Sequence, residues 1–299
     1  MFKVVIIALS LSAFSSSRDT LLWTDYHESN EDNIRRLITI LESSKEGKRV
    51  LNLAYKKAEN YGKSIYDVIK VGDGSVTDTT LLRRFNPNNP LDVAYDSRAL
   101  VYINKHLRTY HAVLDLSHEL IHYVYRKDFN PYERNFSLSG FIKNTIEGSG
   151  GEAEAYLSEC KVNLELYNLN NSEQNRCREI FKSNNVGQQK KLAIKKFYQL
   201  GDYFKRFKDS VLKVDPHVNL DAEFPHISDT QVSFHSSAYS KPYPIASIEE
   251  FVTISQSACQ NESRRLELAS RNLAAETKQK KLLFSLKNDF ESKCNSFIQ

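Results

Sequence analysis

The sequence contains few residues that interrupt helices. Only 10 glycines and 7 prolines occur among its 299 residues, which favours a mainly helical protein. Beyond the first fourteen residues it has no apolar run long enough to cross a bilayer. It also has no basic block interleaved with aromatic side chains, and its net charge is only +4, so nothing in it indicates a nucleic-acid partner. We therefore expect a mature chain without a transmembrane segment, long enough for one large or two small domains.

Cysteine is also scarce, and its spacing excludes one role. The four cysteines form no Cys-x-x-Cys pair, which argues against a thiolate zinc site. They fall instead on both sides of two short stretches, 168–171 and 276–277, which we interpret as turns between helices. In an oxidising compartment this arrangement predicts two disulfides that each clamp a helical hairpin, with free buried thiols as the alternative. The predicted pairs are Cys160 with Cys177 and Cys259 with Cys294.

The first seventeen residues have the order of a signal peptide. A basic residue, Lys3, precedes the apolar run 4–13, and three serines follow at 15–17. The run is short for a membrane span, and no cysteine follows it for lipid attachment, so cleavage at the serines is expected. This predicts a secreted or periplasmic mature protein, the alternative being a buried N-terminal strand.

One motif carries recognisable chemistry, His-Glu-x-x-His at 118–122, within the largely apolar stretch 116–124. Residues four apart share one face of a helix, so His118 and His122 can bind one metal while Glu119 reaches a water beside it. Zinc accepts neutral imidazoles, and a carboxylate next to its water can act as a general base. The motif predicts a zinc site with Glu119 as catalytic base, unless the histidines are ordinary polar residues on a helix face.

Periodicity and turn residues predict the elements around this motif. The predicted helices are 30–44, 45–61, 188–212 and a motif-bearing helix that begins with Thr109 as its N-cap, and the predicted strands are 91–95 and 99–104, joined by a turn at 96–98.

A third ligand is expected from the stretch 147–159. Its three glycines break the chain, and a new helix starts at about Glu152, which brings a carboxylate into the first helical turn. We assign Glu152 as the third ligand, with Glu147 and Glu159 as competing carboxylates.

Over residues 99–160 the sequence resembles the gluzincins, a zincin class in which a glutamate on a second helix completes the metal site. The resemblance is to the prenyl-protease-like and antirepressor-protease-like branches, whose second helix often reads Glu-x-x-Ala-Asp or Glu-x-x-Ala-Asn. Glu152 and Ala155 match this pattern, whereas Tyr156 stands where relatives commonly have a polar residue that supports the ligands. The resemblance implies a zincin-like metallopeptidase core, in which a sheet-edge strand ahead of the motif helix, here 99–104, binds substrate backbone. Asp115 or Glu154 could then support the imidazoles in place of residue 156.

A donor for the oxyanion is expected downstream, since zinc peptidases often use a histidine or tyrosine there. The irregular stretch 216–244 contains three histidines and several tyrosines. Our candidates are His235 and Tyr239, with an ordinary surface loop as the alternative for each.

These observations predict a mainly α protein with a small β-sheet (α+β), a zincin-like core and flanking helical hairpins. The predicted divisions are a signal peptide at 1–17, an N-terminal helical segment at 18–66, a metallopeptidase core at 67–245 and a C-terminal helical hairpin at 246–299. The expected function is that of an exported zinc metallopeptidase acting on a peptide or protein substrate, and the oligomeric state is unknown. The alternative is a non-catalytic exported helical binding protein with a structural or vestigial zinc site.

Overall fold

The fold is mainly α-helical with a small β component, as predicted. It is given by a computed structural model, which describes residues 21–86, 88–133, 135–167, 169, 171–272, 277–294 and 297. The predicted signal peptide at 1–17 lies outside the described residues.

Besides α-helices and strands, the described residues contain a short 3-10 helix, Gly201–Tyr203. The helices are α1 (Asn30–Glu42), α2 (Lys45–Asn60), α3 (Ile65–Val68), α4 (Thr109–Tyr125), α5 (Leu138–Ile146), α6 (Glu152–Leu166), α7 (Ser172–Ile180), α8 (Val186–Phe197), α9 (Phe204–Val214), α10 (Leu220–Glu223), α11 (Tyr243–Asn272) and α12 (Thr277–Cys294). The strands are β1 (Ile69–Gly72), β2 (Val76–Asn86), β3 (Asn89–Asn104), β4 (His235–Ser236) and β5 (Lys241–Pro242).

The motif helix α4 lies at the centre of the first of two hydrophobic clusters. Its apolar residues pack with α1, α2 and the end of β3, and the side chains of Leu116 and Leu120 are fully buried. A helix that is apolar on most of its surface is stable only when covered on most sides. The α4 helix begins at the predicted Thr109, although Arg108 is its N-cap and gives no side-chain cap. The fully buried Trp23 donates from Nε1 to the Asn104 carbonyl at 2.8 Å, which fixes the chain just before this helix.

The larger sheet differs from the prediction in one respect. We predicted two strands separated by a turn at 96–98, but residues 89–104 form the single strand β3. The polar residues 96–98 pair with 80–82 of β2, since nothing in them breaks an extended chain. The turn lies instead at the Pro- and Asn-rich stretch between β2 and β3.

This change alters which strand forms the edge of the sheet. The order is β1-β3-β2, with β1 parallel and β2 antiparallel to β3. The stretch 99–104 that we expected at the edge is therefore central. Among the described strands, β2 pairs with β3 alone, so β2 offers an edge.

A second hydrophobic cluster contains residues of all five helices from α5 through α9 and of the first part of α11. The helix predicted at 188–212 is interrupted within this cluster, because Gly201 adopts a φ of +51° and α8 ends at Phe197. A positive φ is incompatible with a continuing right-handed helix. Helix α6 contributes Ala155 to the first cluster and Tyr156 to the second, so it connects the two.

Both predicted disulfides are present, Cys160 with Cys177 and Cys259 with Cys294. The first joins α6 to α7, and the second joins α11 to α12. Of the predicted turns at 168–171 and 276–277, residues 168, 170 and 276 lie outside the described residues. The predicted boundary at 245 falls in the first turn of α11. Among the described residues, none of the helices has the length and apolar character needed to span a membrane.

Candidate metal centre and cleft

The two histidines of the motif lie side by side on α4, as four-residue spacing requires. Their ring centroids are 4.8 Å apart. Their side chains are 15% and 4% exposed for His118 and His122. Together with Glu119 they form a cluster in which one potential ligand atom of each residue lies within 4.8 Å of the others, and this cluster could hold a metal ion.

Each imidazole is oriented through its Nδ1 atom. Nδ1 of His118 lies 2.9 Å from Oε2 of Glu159, and Nδ1 of His122 lies 2.7 Å from the Gly150 carbonyl oxygen. A carbonyl oxygen and an ionised carboxylate only accept hydrogen bonds, so each Nδ1 donates. In a neutral imidazole Nε2 is then the nitrogen whose lone pair a metal ion can take, whereas a protonated His118 also donates from Nε2 to Glu152. Histidine ligands of metals are commonly fixed in this way.

The carbonyl that orients His122 depends on a glycine. Gly150 has a φ of +66°, and a Cβ atom there would lie 2.4 Å from the backbone nitrogen of Arg126. The loop before α6 can therefore approach the end of α4 only with glycine at this position. This explains part of the glycine-rich stretch that the sequence suggested as a helix break.

Glu152 faces the two Nε2 atoms from the first turn of α6. Its Oε2 lies 3.2 Å from Nε2 of His118, and its Oε1 lies 3.4 Å from Nε2 of His122. The Arg126 guanidinium donates to Oε1 of Glu152 at 3.0 Å and so fixes the carboxylate. The Glu152 side chain is only 8% exposed.

The donor set and its spacing fit zinc. Two ligands about 2.0–2.1 Å from a tetrahedral zinc ion lie about 3.3 Å from each other. The two separations between Glu152 and the imidazoles, 3.2 and 3.4 Å, match this value. Two neutral imidazoles and one carboxylate are also a donor set used by catalytic zinc sites.

The charges of the site keep the carboxylate ionised. Burial opposes ionisation, but His122, His118 and Arg126 hold the pKa of Glu152 well below its usual range. Burial lowers the pKa of His118. The carboxylates of Glu152 and Glu159 outweigh this effect and raise the pKa well above its usual value. Protons and a metal ion would therefore compete for the same ring nitrogen.

Glu119 is held from the opposite side by the edge strand β2. The hydroxyl of Thr77 lies 2.8 Å from both the backbone carbonyl and Oε2 of Glu119. Glu119 is 7% exposed, and one of its carboxylate oxygens lies within 4.8 Å of a ring nitrogen of each histidine. Its carboxylate thus has a fixed orientation beside the candidate metal position.

These residues line a cleft of about 810 Å³. One wall is the start of β2, from Val76 to Leu81, and the other is a face of α11. Of the predicted oxyanion donors, Tyr239 lines the cleft, whereas His235 is exposed in β4 and does not occur among the described lining residues.

A further tyrosine that we did not select lies at the start of α11. Tyr243 lines the cleft and is partly buried. Burial raises the pKa of Tyr243 well above its usual value, and the carboxylates of Glu152, Glu119 and Glu159 raise it further. Its hydroxyl therefore stays protonated and can donate.

Of the two competing carboxylates, Glu159 contacts Nδ1 of His118, as described above, and Glu147 is bonded elsewhere. Glu147 accepts a hydrogen bond from the Tyr198 hydroxyl at 2.6 Å, and Glu154 accepts from the Gly150 backbone nitrogen at 2.8 Å. Asp115 is hydrogen-bonded to Ser75, and its pKa is raised to about 6, chiefly by burial. The imidazole support that we assigned to Asp115 or Glu154 comes in the described geometry from Glu159, one turn beyond Tyr156.

Sequence reasoning missed four residues of the site: Thr77, Arg126, Glu159 in its supporting role, and Tyr243. For Glu159 a signal existed, because it lies seven residues after Glu152 and so on the same face of α6. Arg126 also had a signal, because it follows His122 by four residues at the end of α4. Thr77 approaches from a distant strand, which no local spacing encodes.

Comparison of the chain with protein-family models, with curated proteins and with solved structures finds no match.

Proposed function

We propose that this protein is a zinc metallopeptidase that hydrolyses peptide bonds. The observation that carries the proposal is that the Glu152 carboxylate faces Nε2 of both His118 and His122, at 3.2 and 3.4 Å, with Glu119 fixed beside them in an open cleft. A catalytic zinc site typically uses three protein ligands and keeps one position for water or substrate.

Zinc at this position would lower the pKa of a water molecule and polarise the substrate carbonyl. Glu119 accepts the proton of the attacking water at its carboxylate and delivers it to the nitrogen of the leaving amine. Thr77 keeps that carboxylate aimed at the reacting atoms. Tyr243 donates its hydroxyl to the oxygen on which negative charge develops.

The free edge of β2 suits a peptide substrate in extended conformation. Residues 76–81 of β2 line the cleft, and six residues of strand extend over about 20 Å. A peptide that adds to this edge would satisfy its backbone groups there, which is a general mode of peptide recognition. The correction of the sheet order therefore moves the proposed substrate strand from 99–104 to β2.

We also propose that the protein acts in an oxidising compartment outside the cytosol. The support is the pair of disulfides together with the signal-peptide order of residues 1–17. Sequencing the N-terminus of protein recovered from the export compartment tests this: we expect a mature chain that starts near Arg18, and recovery with an intact Met1 contradicts it.

The main test measures metal content and hydrolysis in the same preparations. Wild type should bind one zinc ion. The ion should be lost in His118→Ala, His122→Ala and Glu152→Ala and kept in Glu147→Ala. Wild type should cleave members of a broad peptide library. Glu119→Gln should keep the zinc and lose about 10²–10⁴-fold in rate, because it lacks the base.

Two outcomes would contradict the proposal. If the histidine variants keep full zinc occupancy, the metal centre lies elsewhere. If zinc-loaded wild type and Glu119→Gln cleave equally, the mechanism is wrong. A zinc-loaded wild type without any activity is a separate result, which favours the non-catalytic binding protein.

A further inference from the structure

The wall of the cleft opposite β2 is a single face of α11. Its lining residues recur at three- and four-residue spacing, as one face of a helix requires. They are Tyr243, Ala246, Ser247, Glu250, Thr253, Ile254, Ser257, Ala258 and Asn261. Glu250 is the charged residue of this set, and it lies two turns from Tyr243.

Glu250 has no hydrogen bond or ion pair within the part of the chain that the structure describes. The adjacent Glu249 provides a contrast, because it is bonded to Lys241 at 2.7 Å and to Arg206 at 3.0 Å on the outer side of the helix. A carboxylate at a protein surface needs no partner, but Glu250 is partly buried in the cleft. Burial of an unpaired charge is unfavourable.

The cation that acts on Glu250, Arg126, does not compensate this charge fully. Burial raises the pKa of Glu250, whereas Arg126 lowers it and Glu152 raises it again. The Arg126 guanidinium is turned to Glu152 at 3.0 Å and to the Gly150 carbonyl at 3.3 Å. A further cation that enters the cleft would therefore stabilise the ionised form of Glu250.

The opposite wall also carries a carboxylate. Asp78 of β2 lines the cleft and accepts a hydrogen bond from the Thr80 hydroxyl. Apart from the motif and Glu152, the charged side chains among the described lining residues are Asp78, Arg126 and Glu250. With Arg126 bound to Glu152, the peptide-binding part of the cleft is acidic, although the chain as a whole has a net charge of +4.

We propose that Glu250 binds a positively charged group of the substrate, an alkylammonium or guanidinium, and thereby makes the cleft selective for cationic peptides. The inference rests on the proposed peptidase function. The cation is a lysine or arginine side chain or the free amino terminus of a peptide. Such groups pair with carboxylates, and an ion pair in a partly dehydrated cleft is stronger than one on the surface.

The test measures binding separately from hydrolysis. The probes are fluorescent alanine-based octapeptides, acetylated and amidated at their ends, in which one lysine is moved through all positions, with norleucine at the same positions as the uncharged match. A lysine-free peptide with a free amino terminus tests whether the cation that binds is the amino terminus rather than a side chain. Dissociation constants are measured with zinc-loaded Glu119→Gln protein, which does not consume the probes.

We expect lysine at one or two adjacent positions, or the free amino terminus, to bind about tenfold more tightly than its uncharged match, a difference of about 1.4 kcal/mol. Adding Glu250→Gln should abolish the difference, and Glu250→Lys should transfer the preference to a glutamate at the same position. The matched control, Glu249→Gln, should keep the preference for the cation. Zinc content and circular dichroism verify that each variant is folded.

The inference is overturned if lysine and norleucine peptides bind equally at every position, or if Glu250→Gln weakens all probes alike. The second result would make Glu250 a positioning residue for Arg126. Because binding is read without turnover, a failure of the cation preference is distinct from a failure of hydrolysis, which the comparison of wild type with Glu119→Gln detects.

Discussion

At the scale of single residues, the site depends on side chains that never touch the metal position. Glu159 accepts from Nδ1 of His118 at 2.9 Å, and its side chain is only 20% exposed. It fixes the imidazole orientation and raises the basicity of the ring, which strengthens metal binding. The neighbouring Tyr156 of the same helix does not take this role, because it packs against Phe197 and Phe234 in the second cluster.

The first prediction concerns this support. Glu159→Gln should weaken zinc binding about 10- to 100-fold, because the amide no longer offers a charged acceptor to His118. A competition titration against a chelator measures the affinity. Glu154→Gln is the control, since its amide oxygen can still accept from the Gly150 nitrogen, and equal weakening in both variants would contradict a specific role for Glu159.

The second prediction ranks the candidate oxyanion donors. Tyr243→Phe should reduce the rate of hydrolysis about 10²–10³-fold while leaving zinc in place, because it removes one preorganised donor. Tyr239→Phe and His235→Ala should have smaller effects, since the carboxylates that act on Tyr239 are Glu250 and Glu249 rather than Glu152 and Glu119, which act on Tyr243, and His235 is exposed. The measurement is the cleavage rate of one library-derived peptide by preparations of equal zinc content. A larger loss in Tyr239→Phe or His235→Ala would restore our sequence-based choice.

At the scale of elements, α6 is held in position by α2 as well as by α4. The backbone nitrogen of Glu46 donates to Glu165 of α6 at 2.9 Å, and the Glu46 side chain lies 3.9 Å from Lys161 of α6. The same side chain accepts two hydrogen bonds from Arg49, at 2.7 and 2.9 Å. Burial opposes ionisation, but Arg49 and Lys161 keep the pKa of Glu46 below its usual value.

The third prediction follows from the sign of that shift. A carboxyl group whose pKa is lower in the folded state contributes its full stabilisation above the unfolded pKa of about 4.3. The contribution is lost as the pH falls through the folded pKa. Glu46→Gln should therefore lower the free energy of unfolding by about 1–3 kcal/mol at pH 7, and the difference from wild type should shrink as the pH falls below 4.

Urea unfolding of both proteins between pH 7 and pH 3 provides the measurement. Glu59→Gln, at an exposed position on the same helix, is the control and should leave the stability unchanged. A loss in Glu46→Gln that is equal at every pH would indicate a packing defect and contradict the electrostatic account.

Elements with local signals were predictable from the sequence. The bounds of α2, α4 and α6 agree with the predicted starts at Lys45, Thr109 and Glu152, because turns and helix-starting residues mark them. The errors arose where local signals compete. The polar stretch 96–98 resembles a turn but continues as strand, and Gly201 lies inside an apolar periodicity that predicts one uninterrupted helix.

The site was predictable only as far as it lies on two helices. Spacing along α4 and the glycine break before α6 identify the three proposed ligands and the base. Arg126, four residues after His122 at the end of α4, could have been found by the same spacing argument. Thr77 enters the site through the pairing of β2 with β3, and Tyr243 enters through the packing of α11. Such contacts depend on tertiary arrangement, so the cleft and its acidic wall could not be read from the sequence.

At the scale of the whole molecule, the proposed metal site adds a connection between α4 and α6, which are already joined by packing and by hydrogen bonds such as that from Arg126 to Glu152. His118 and His122 belong to α4 in the first cluster, and Glu152 starts α6, which contributes to both clusters. A metal ion held by both helices would therefore cross-link the two clusters. Since an unfolded chain cannot assemble this site, metal binding adds to the stability of the folded state.

The fourth prediction concerns this linkage. At a free zinc concentration about 1,000 times the dissociation constant, the bound ion stabilises the fold by about 4 kcal/mol, and for a protein of this size that corresponds to a melting temperature higher by roughly 10 °C. A chelator should lower the melting temperature of wild type by this amount, and added zinc should restore it, as measured by circular dichroism. Glu119→Gln should respond like wild type because it keeps all three ligands, whereas His118→Ala should be insensitive to the chelator. An equal shift in His118→Ala would mean that the stabilising ion binds at another site.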